Sequence, residues 1–342
     1  MIYRVTTSGT LKNYRFNLQR SSYNRNEAQN AVLTGRKFNS YKEDSAAAAR
    51  SFQLRSTLSR TSSQLSVSES VVAKYEVAWS TLDSVKEEVN KAQAAIIRSA
   101  NDPTGTGRTA LGEELEGIAK SIVQYMNAKY GDNYVYAGAD GLHVPFSLAE
   151  DGTLTYRGVD VTNGATETLE YLANGESKYV DLGMGLEENN GQLIQSSAFD
   201  CSLSGLKFLG YGVDNTTGES NNIVTIIHEM SQLLKNCDEE TGSFETPADQ
   251  EKFDRLFAKF DNASDALTNQ YTALDTEASF LKSNHKLLEG RNYTLQEQII
   301  GIEEVDPAEA ITAYSWAQYC YNSALKVGNS ILSESLMDYM NT

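Results

Sequence analysis

Residues 1–102 contain no proline and only two glycines, Gly9 and Gly35. Those two residue types interrupt helices most strongly, by about 3 and 1 kcal/mol relative to alanine. The segment is therefore free to be helical almost throughout. Its apolar spacing agrees: Leu11, Tyr14, Leu18, Ser21, Arg25, Ala28, Val32 and Gly35 step by threes and fours, imperfectly at Ser21 and Arg25. Such steps lay one narrow stripe along a helix. After a polar break at 39–44, Ala46 to Ala49 restart the helix. A second stripe then runs from Val72 through Tyr75, Trp79, Leu82, Val85, Val89 and Ala92 to Ile96, and Asn101-Asp102-Pro103 closes it. A helix over residues 64–100 would reach about 55 Å at 1.5 Å per residue, which is rod-like geometry.

Heptad spacing continues at Leu111, Leu115, Ile118, Ile122 and Tyr125. The character then changes. Fourteen of the 24 glycines fall in residues 131–220, where short alternating segments replace helical periodicity. Glu150-Asp151-Gly152, followed by Leu154 and Tyr156 in alternation, predicts a hairpin. Residues 141–220 are expected to form a small β-rich inserted domain. Helix resumes at Ile223–Leu234, and Thr246-Pro247-Ala248-Asp249 carries a cap, an N1 proline and a first-turn acid. The longest seam follows, from Phe253, Leu256 and Phe260 through Leu274, Leu281, His285 and Leu288 to Asn292, Leu295, Ile299 and Ile302. Asn292 either fixes register, as buried asparagine does in coiled coils, or is chance polarity at a partly exposed position. Asp306-Pro307-Ala308-Glu309 restarts a last helix. Ile311, Leu325, Leu332, Leu336 and Tyr339 mark its stripe, with Ala310, Tyr314, Ala317, Tyr321 and Ala324 beside it. The expected fold is mainly α, a long antiparallel bundle or coiled coil formed by both chain ends around a β-rich insert.

Charge supports pairing of the ends. Residues 1–60 hold eleven Lys or Arg against three acids, and residues 303–342 hold six acids against Lys326. Narrow stripes need a partner helix, and opposite charge favours the other end of the chain. The net charge of −17 argues against nucleic acid or an anionic membrane as partner for most of the chain. No run approaches the length of a membrane-spanning helix, and Met1-Ile2-Tyr3-Arg4 leads into polar residues without the apolar core of a secretory signal.

Catalytic chemistry has little to stand on. His143, His228 and His285 lie far from cysteines and acids at metal-ligand spacing. Cys201, Cys237 and Cys320 are odd in number and widely spaced, so they imply neither a disulfide framework nor a cluster. Thr104-Gly105-Thr106-Gly107 and Gly183-Met184-Gly185 lack the strand and lysine of a phosphate loop. Asp238-Glu239-Glu240 fits a solvated loop better than a calcium site. No catalytic, cofactor or metal residue is assigned, and no enzyme is expected.

Residues 32–49 read Val-Leu-Thr-Gly-Arg-Lys-Phe-Asn-Ser-Tyr-Lys-Glu-Asp-Ser-Ala-Ala-Ala-Ala. This resembles the N-terminal signature of the flagellin superfamily through Gly35, Arg36, Asn39, Ser40, Lys42 and Asp44, with Glu43 where the family usually has Asp. Three further segments resemble the hook-associated branch found at the hook–filament junction. They are Gly131-Asp132-Asn133-Tyr134-Val135-Tyr136-Ala137-Gly138 with Pro145-Phe146, Val305-Asp306-Pro307-Ala308-Glu309-Ala310-Ile311, and Ser335-Leu336-Met337-Asp338-Tyr339-Met340. The resemblance implies a terminal assembly domain (1–40 with 303–342), a helical rod domain (41–140 with 221–302) and an outer domain (141–220). It also implies a structural subunit that polymerises with itself in a ring, between a neighbouring hook-associated protein and flagellin. An export chaperone and the flagellar export apparatus would carry it outside the cell without a cleaved signal. Three cysteines depart from the family's habit. A filament flagellin is the nearest alternative, and a cytoplasmic coiled-coil scaffold is the alternative of another class.

Overall fold

A computed structural model of the chain describes residues 7–101, 104–149, 151–189, 192–194, 197–214, 216–238 and 241–340. The chain begins with three helices, α1 (Thr7–Thr34), α2 (Ser45–Asn101) and α3 (Gly105–Met126). Short strands follow: β1 (Lys129–Tyr130), β2 (Asn133–Tyr134), β3 (Ala137–Gly138), β4 (Phe146–Leu148), β5 (Leu154–Tyr156) and β6 (Val159–Asp160). After α4 (Thr166–Glu170) and a π-helical turn at Tyr171–Gly175 come β7 (Tyr179–Val180), β8 (Glu188–Asn189), β9 (Gln192–Leu193), β10 (Phe199–Asp200) and β11 (Leu203–Ser204). Helices α5 (Gly205–Leu209), α6 (Ile223–Lys235), α7 (Pro247–Glu303) and α8 (Pro307–Met340) complete the order. The fold is mainly helical with a strand-bearing middle, as the periodicity predicts.

The helix boundaries follow local chemistry. Thr246 and Asp249 cap α7 reciprocally: Asp249 N donates to Thr246 Oγ1 (3.2 Å) and Thr246 N to Asp249 Oδ2 (3.0 Å). Asp306 Oδ1 accepts from the backbone of Ala308 (2.7 Å) and Glu309 (3.1 Å) at the start of α8.

The chain packs as two compact units, Met1–Ser62 with Gly290–Thr342, and Ser63–Glu289. The expected terminal domain, 1–40 with 303–342, lies within the first of these units. Nothing in α2 or α7 breaks the helix near 62 or 290, so periodicity alone gives no boundary there. In the second unit α2 and α7 run antiparallel. Glu76 pairs with Lys282 (3.0 Å), Tyr271 donates to Asp83 (3.1 Å), and Gln93 donates to Asp261 (3.3 Å). Tyr75, Leu82, Val85 and Val89 of α2, with Phe260, Leu267, Leu274 and Leu281 of α7, are buried where the stripes predict. Helices α3 and α6 also run antiparallel. Arg108 Nη1 donates to Gly242 O beyond α6 (2.5 Å), Ser231 Oγ donates to Gly112 O (2.6 Å), and Lys235 pairs with Glu116.

Residues 141–220 are strand-bearing but form no separate core. The three-stranded sheet β4-β5-β6 is antiparallel, with Phe146 opposite Tyr156 and Tyr156 opposite Val159. Its buried side chains Phe146, Leu154 and Tyr156 join the same apolar cluster as Tyr75, Met126 and Ile227 of the helices. Tyr136 Oη donates to Ala78 O of α2 (2.5 Å), and Tyr156 Oη donates to Tyr136 O (2.9 Å). The two-residue turn between β5 and β6 holds Arg157 and Gly158 at φ of 52° and 83°, as a type I′ hairpin requires. The unfavourable backbone of Arg157 is offset by its guanidinium, which donates to both oxygens of Glu176 (2.8 and 2.7 Å). Asn127 of the α3 C-cap and Phe146 exchange hydrogen bonds, Phe146 N to Asn127 Oδ1 (2.9 Å) and Asn127 Nδ2 to Phe146 O (2.8 Å). Phe146 therefore anchors the sheet to the helices by both backbone and ring. Phe146→Ala is expected to cost about 3–5 kcal/mol, read as a lowered urea midpoint. A shift below 1 kcal/mol would place the anchor elsewhere.

Candidate functional site

The N-terminal motif lies in the linker between α1 and α2, and the structure brings it against the linker between α7 and α8. Helix α1 stops because Gly35 takes φ of +67°, a left-handed conformation that side chains rarely tolerate. The residues after it run antiparallel to 303–305. Val305 N donates to Gly35 O (2.9 Å), Lys37 N donates to Glu303 O (2.7 Å), and Arg36 pairs with Glu304 as a bridge between them. Lys37 Nζ reaches Gly301 O (2.7 Å). The chain then turns tightly, with Glu43 N donating to Ser40 O (3.0 Å) and Lys42 N to Ser40 Oγ (3.4 Å). Glu43 accepts from Asn39 N (2.7 Å), and Asp44 caps α2 by accepting from Ala47 N (2.8 Å). Gly35, Arg36, Asn39, Ser40, Lys42 and Asp44 are thus a connector tied to the opposite end of the chain.

Glu303, buried at the last residue of α7, holds this connector. Arg55 of α2 grips its carboxylate with two hydrogen bonds, Nε to Oε1 (2.7 Å) and Nη2 to Oε2 (2.5 Å), and the Ser51 hydroxyl donates to Oε1. The Arg55 bonds, helped by Ser51 and the nearby charge of Arg36, hold the Glu303 carboxyl down to about 2. In the sequence Glu303 is one acid of an acidic end, and neither Ser51 nor Arg55 stands out as a site residue. A signal was present: the step of four from Ile299 lands on Glu303, so an acid occupies a seam position.

Helices α1 and α8 pair antiparallel. The Arg25 guanidinium lies 4.5 Å from the centre of the Tyr321 ring, a cation–π contact. Tyr14 crosses α8 at Gly328, where a Cβ would collide with its phenol. The seam is shallow: no described side chain of α1 is fully buried, and Tyr14, Leu18, Ser21, Arg25 and Ala28 are half-buried. On α8 Ala310 is buried, and Tyr314, Ala317, Tyr321 and Ala324 are half-buried. Ile311 and Leu325, assigned to the main stripe, are instead 54% and 42% exposed. Leu332, Leu336 and Tyr339 belong to the helical end of α8, but their side chains lie outside the described residues. Other faces of the pair carry large apolar groups in water, among them Phe16 (66% exposed), Leu33 (73%) and Trp316 (67%), whose ring stacks on Tyr319 at 5.7 Å.

The motif preceding the insert belongs to the other unit. Gly131 lies in the β1–β2 turn, Tyr134 lies 4.4 Å from Lys129 Nζ, and Gly138 packs against Glu176. Pro145 O accepts from Arg157 N (2.7 Å), beside the anchor Phe146. Among the described residues no group of three or more His, Cys, Asp or Glu is placed to hold a metal ion. No described helix is long and apolar enough to cross a membrane. Cys201 and Cys237 are buried, and burial pushes both thiols up.

Residues 5–139 match the family described as the bacterial flagellin N-terminal helical region. No curated protein matches the chain by sequence. Solved structures do. A Vibrio parahaemolyticus protein described as a flagellar hook-associated protein superposes with a TM-score of 0.57 at 14% identity, over 76% of this chain and 99% of that one. Flagellar hook-associated protein 3 of Legionella pneumophila gives 0.53 at 10% identity, over 73% and 98%. FlgL of Xanthomonas campestris gives 0.52 at 12% identity, over 73% and 99%. The fold is that of flagellar hook-associated proteins. Within the flagellin-type N-terminal region, the connector 35–44 is the part fixed by long-range bonds to residues 301–305.

Because the Glu303 carboxyl is depressed in the folded chain, it stabilises the fold fully above its unfolded value of 4.5, and that contribution fades as pH falls toward about 2. Arg55 is half-exposed, so solvent screening limits the contribution to about 1 kcal/mol, roughly fivefold in local opening. Glu303→Gln is expected to speed hydrogen exchange at the Lys37 and Val305 amides by that factor at pH 7 and to flatten its acid dependence below pH 4.5. Unchanged exchange would show that the backbone bridge stands without the ion pair.

Proposed function

We propose that the chain is a structural subunit of the bacterial flagellum, a hook-associated protein that polymerises where hook meets filament. The observation that carries this reading is the α1–α8 pair. It is fastened at one end by Glu303 and the 35–37 bridge, yet buries little between its helices and leaves Phe16, Leu33 and Trp316 in water. Helices with narrow seams are marginal alone, and exposed apolar faces of this size mark interaction surfaces. Neighbouring subunits that cover those faces would couple ordering of the pair to assembly. Ile311 and Leu325 then act between subunits, not within one, which accounts for their exposure. The partners are further copies of the chain, a hook-associated protein on one side and flagellin on the other. An export chaperone and the flagellar export apparatus would handle the subunit before assembly, and its place would be outside the cell.

The shared fold of hook-associated proteins and the segments Val135–Gly138 and Pro145-Phe146 favour the junction over a filament flagellin. Immunogold labelling with an antibody to residues 141–220 separates the two. A short band between hook and filament is the expected result, and label along the whole filament would make the chain a flagellin. Ile311→Asp and Leu325→Asp place a charge on exposed positions, so each should abolish incorporation into flagella while shifting the thermal unfolding of the purified chain by less than about 0.5 kcal/mol equivalent. Normal incorporation of both variants would remove the coupling of these faces to assembly.

A further inference from the structure

A cleft of about 270 Å³ opens in the second unit between α2 and the strands, with mostly apolar walls from Val67, Val71, Val135, Val180 and Tyr134. Two lysines line it. Lys74, largely buried, donates one hydrogen bond, to Cys201 O (2.8 Å), and burial lowers its pKa. An ammonium carries three donors, and among the described residues Cys201 O is the acceptor it reaches. Lys178 is exposed beside it, and Lys129 sits over the Tyr134 ring at the rim. Two acids border it, and both are engaged: Asp200 accepts from the amides of Lys178 and Ser202 (both 2.9 Å), and Glu176 accepts from Ala139 N (3.0 Å) and from the Arg157 guanidinium. In a chain of net charge −17, this is an apolar cleft with a positive rim. Apolar walls with a few convergent polar groups are the usual form of a binding site.

The same unit carries the complementary surface. Between Lys178 and Lys207 the sequence has no Lys or Arg, and the β8–β9 hairpin presents exposed Met184, Leu186, Glu187 and Glu188. In its own chain the base of this hairpin is tied to the helices. Asn284 donates to Leu182 O (3.0 Å), and Gln64 donates to Asp181 (2.8 Å). We propose that the cleft receives the β8–β9 hairpin of a second copy, Leu186 entering between the valines, Glu187 meeting Lys74 and Glu188 meeting Lys178. Two different patches joined in this way make a head-to-tail contact, the kind that closes rings when its rotation permits. The inference rests on the polymerising role proposed above and supplies one of its subunit contacts.

Charge exchange tests it in the native bacterium, with the wild-type chain as control and the amount of protein in isolated flagella as readout. Lys178→Glu alone, and Glu188→Lys alone, should each lower incorporation about fivefold by setting like charges together. Both substitutions in one chain restore opposite charges at that pair, leave Glu187 facing Lys74, and should return incorporation to within about twofold of wild type. Thermal unfolding of the purified variants, all changed at exposed positions, should match wild type. Unchanged incorporation of the separate variants, or a combined variant no better than the worse of them, overturns the contact. Absence of the wild-type chain from flagella overturns the assembly reading itself, and the contact falls with it.

Discussion

The short antiparallel bridge between residues 35–37 and 303–305 determines what the two ends of this chain can do. Two long helices, α2 and α7, would otherwise simply stop, and α1 and α8 would leave them in directions set only by flexible linkers. Three features act together at the bridge. Gly35 turns the chain, backbone hydrogen bonds run between the linkers, and Glu303 is held by Arg55 and Ser51. A buried carboxylate without such partners would carry a large desolvation cost. With them, the position is specific, because a planar guanidinium fork matches one carboxylate with two parallel bonds.

The two units bury apolar surface very differently, and this follows from their seams. In the second unit α2 and α7 share their stripe with the strands and with α3 and α6, so aromatic and branched side chains close on several sides. In the terminal pair α1 faces α8 mainly through small or polar residues such as Ser21, Ala28, Ala317 and Ala324. Small side chains let helices approach but bury little area, and burial is what stabilises. Tyr14 and Tyr321 reach into the seam, but Phe16, Leu33 and Trp316 point elsewhere. A pair built this way is positioned by its linkers and completed by whatever covers its outer faces.

Much of this was legible in the sequence, and the limits have physical causes. The seam from Phe253 to Ile302 and the stripe from Val72 to Ile96 appear as largely buried rows, Trp79 at 36% exposure being the exception, because helical periodicity is dictated by a partner along most of the length. The caps at Thr246 and Asp306 were legible because their chemistry is local. The Arg55–Glu303 pair was not, since it joins residues 248 apart in sequence. Leu325 and Ile311 were assigned to an inner stripe because spacing distinguishes an apolar face from a polar one, yet cannot say which of two apolar faces meets the neighbouring helix. The insert's strands are two or three residues long, too short for alternation to register beyond Leu154 and Tyr156, so elsewhere in it only the glycine content betrayed the change of structure.

The ambiguity on α8 is itself informative about assembly. A helix with one buried face has no reason to carry Ile311, Trp316, Tyr319 and Leu325 in water, and such residues raise the risk of unwanted association. A helix with two apolar faces is explained when one is buried within the chain and the other between chains. The sequence pattern on α8 then records two partners superimposed on one periodicity. Its inner face, Ala310 to Gly328, is cut for α1, as the fit of Tyr14 over Gly328 shows. In the proposed assembly the outer face meets a neighbour, and the same division of labour would explain why the stripe of α1 looked imperfect at Ser21 and Arg25. Those positions serve the inner contact through small size and a cation–π pair, leaving the larger apolar groups free for the outer one.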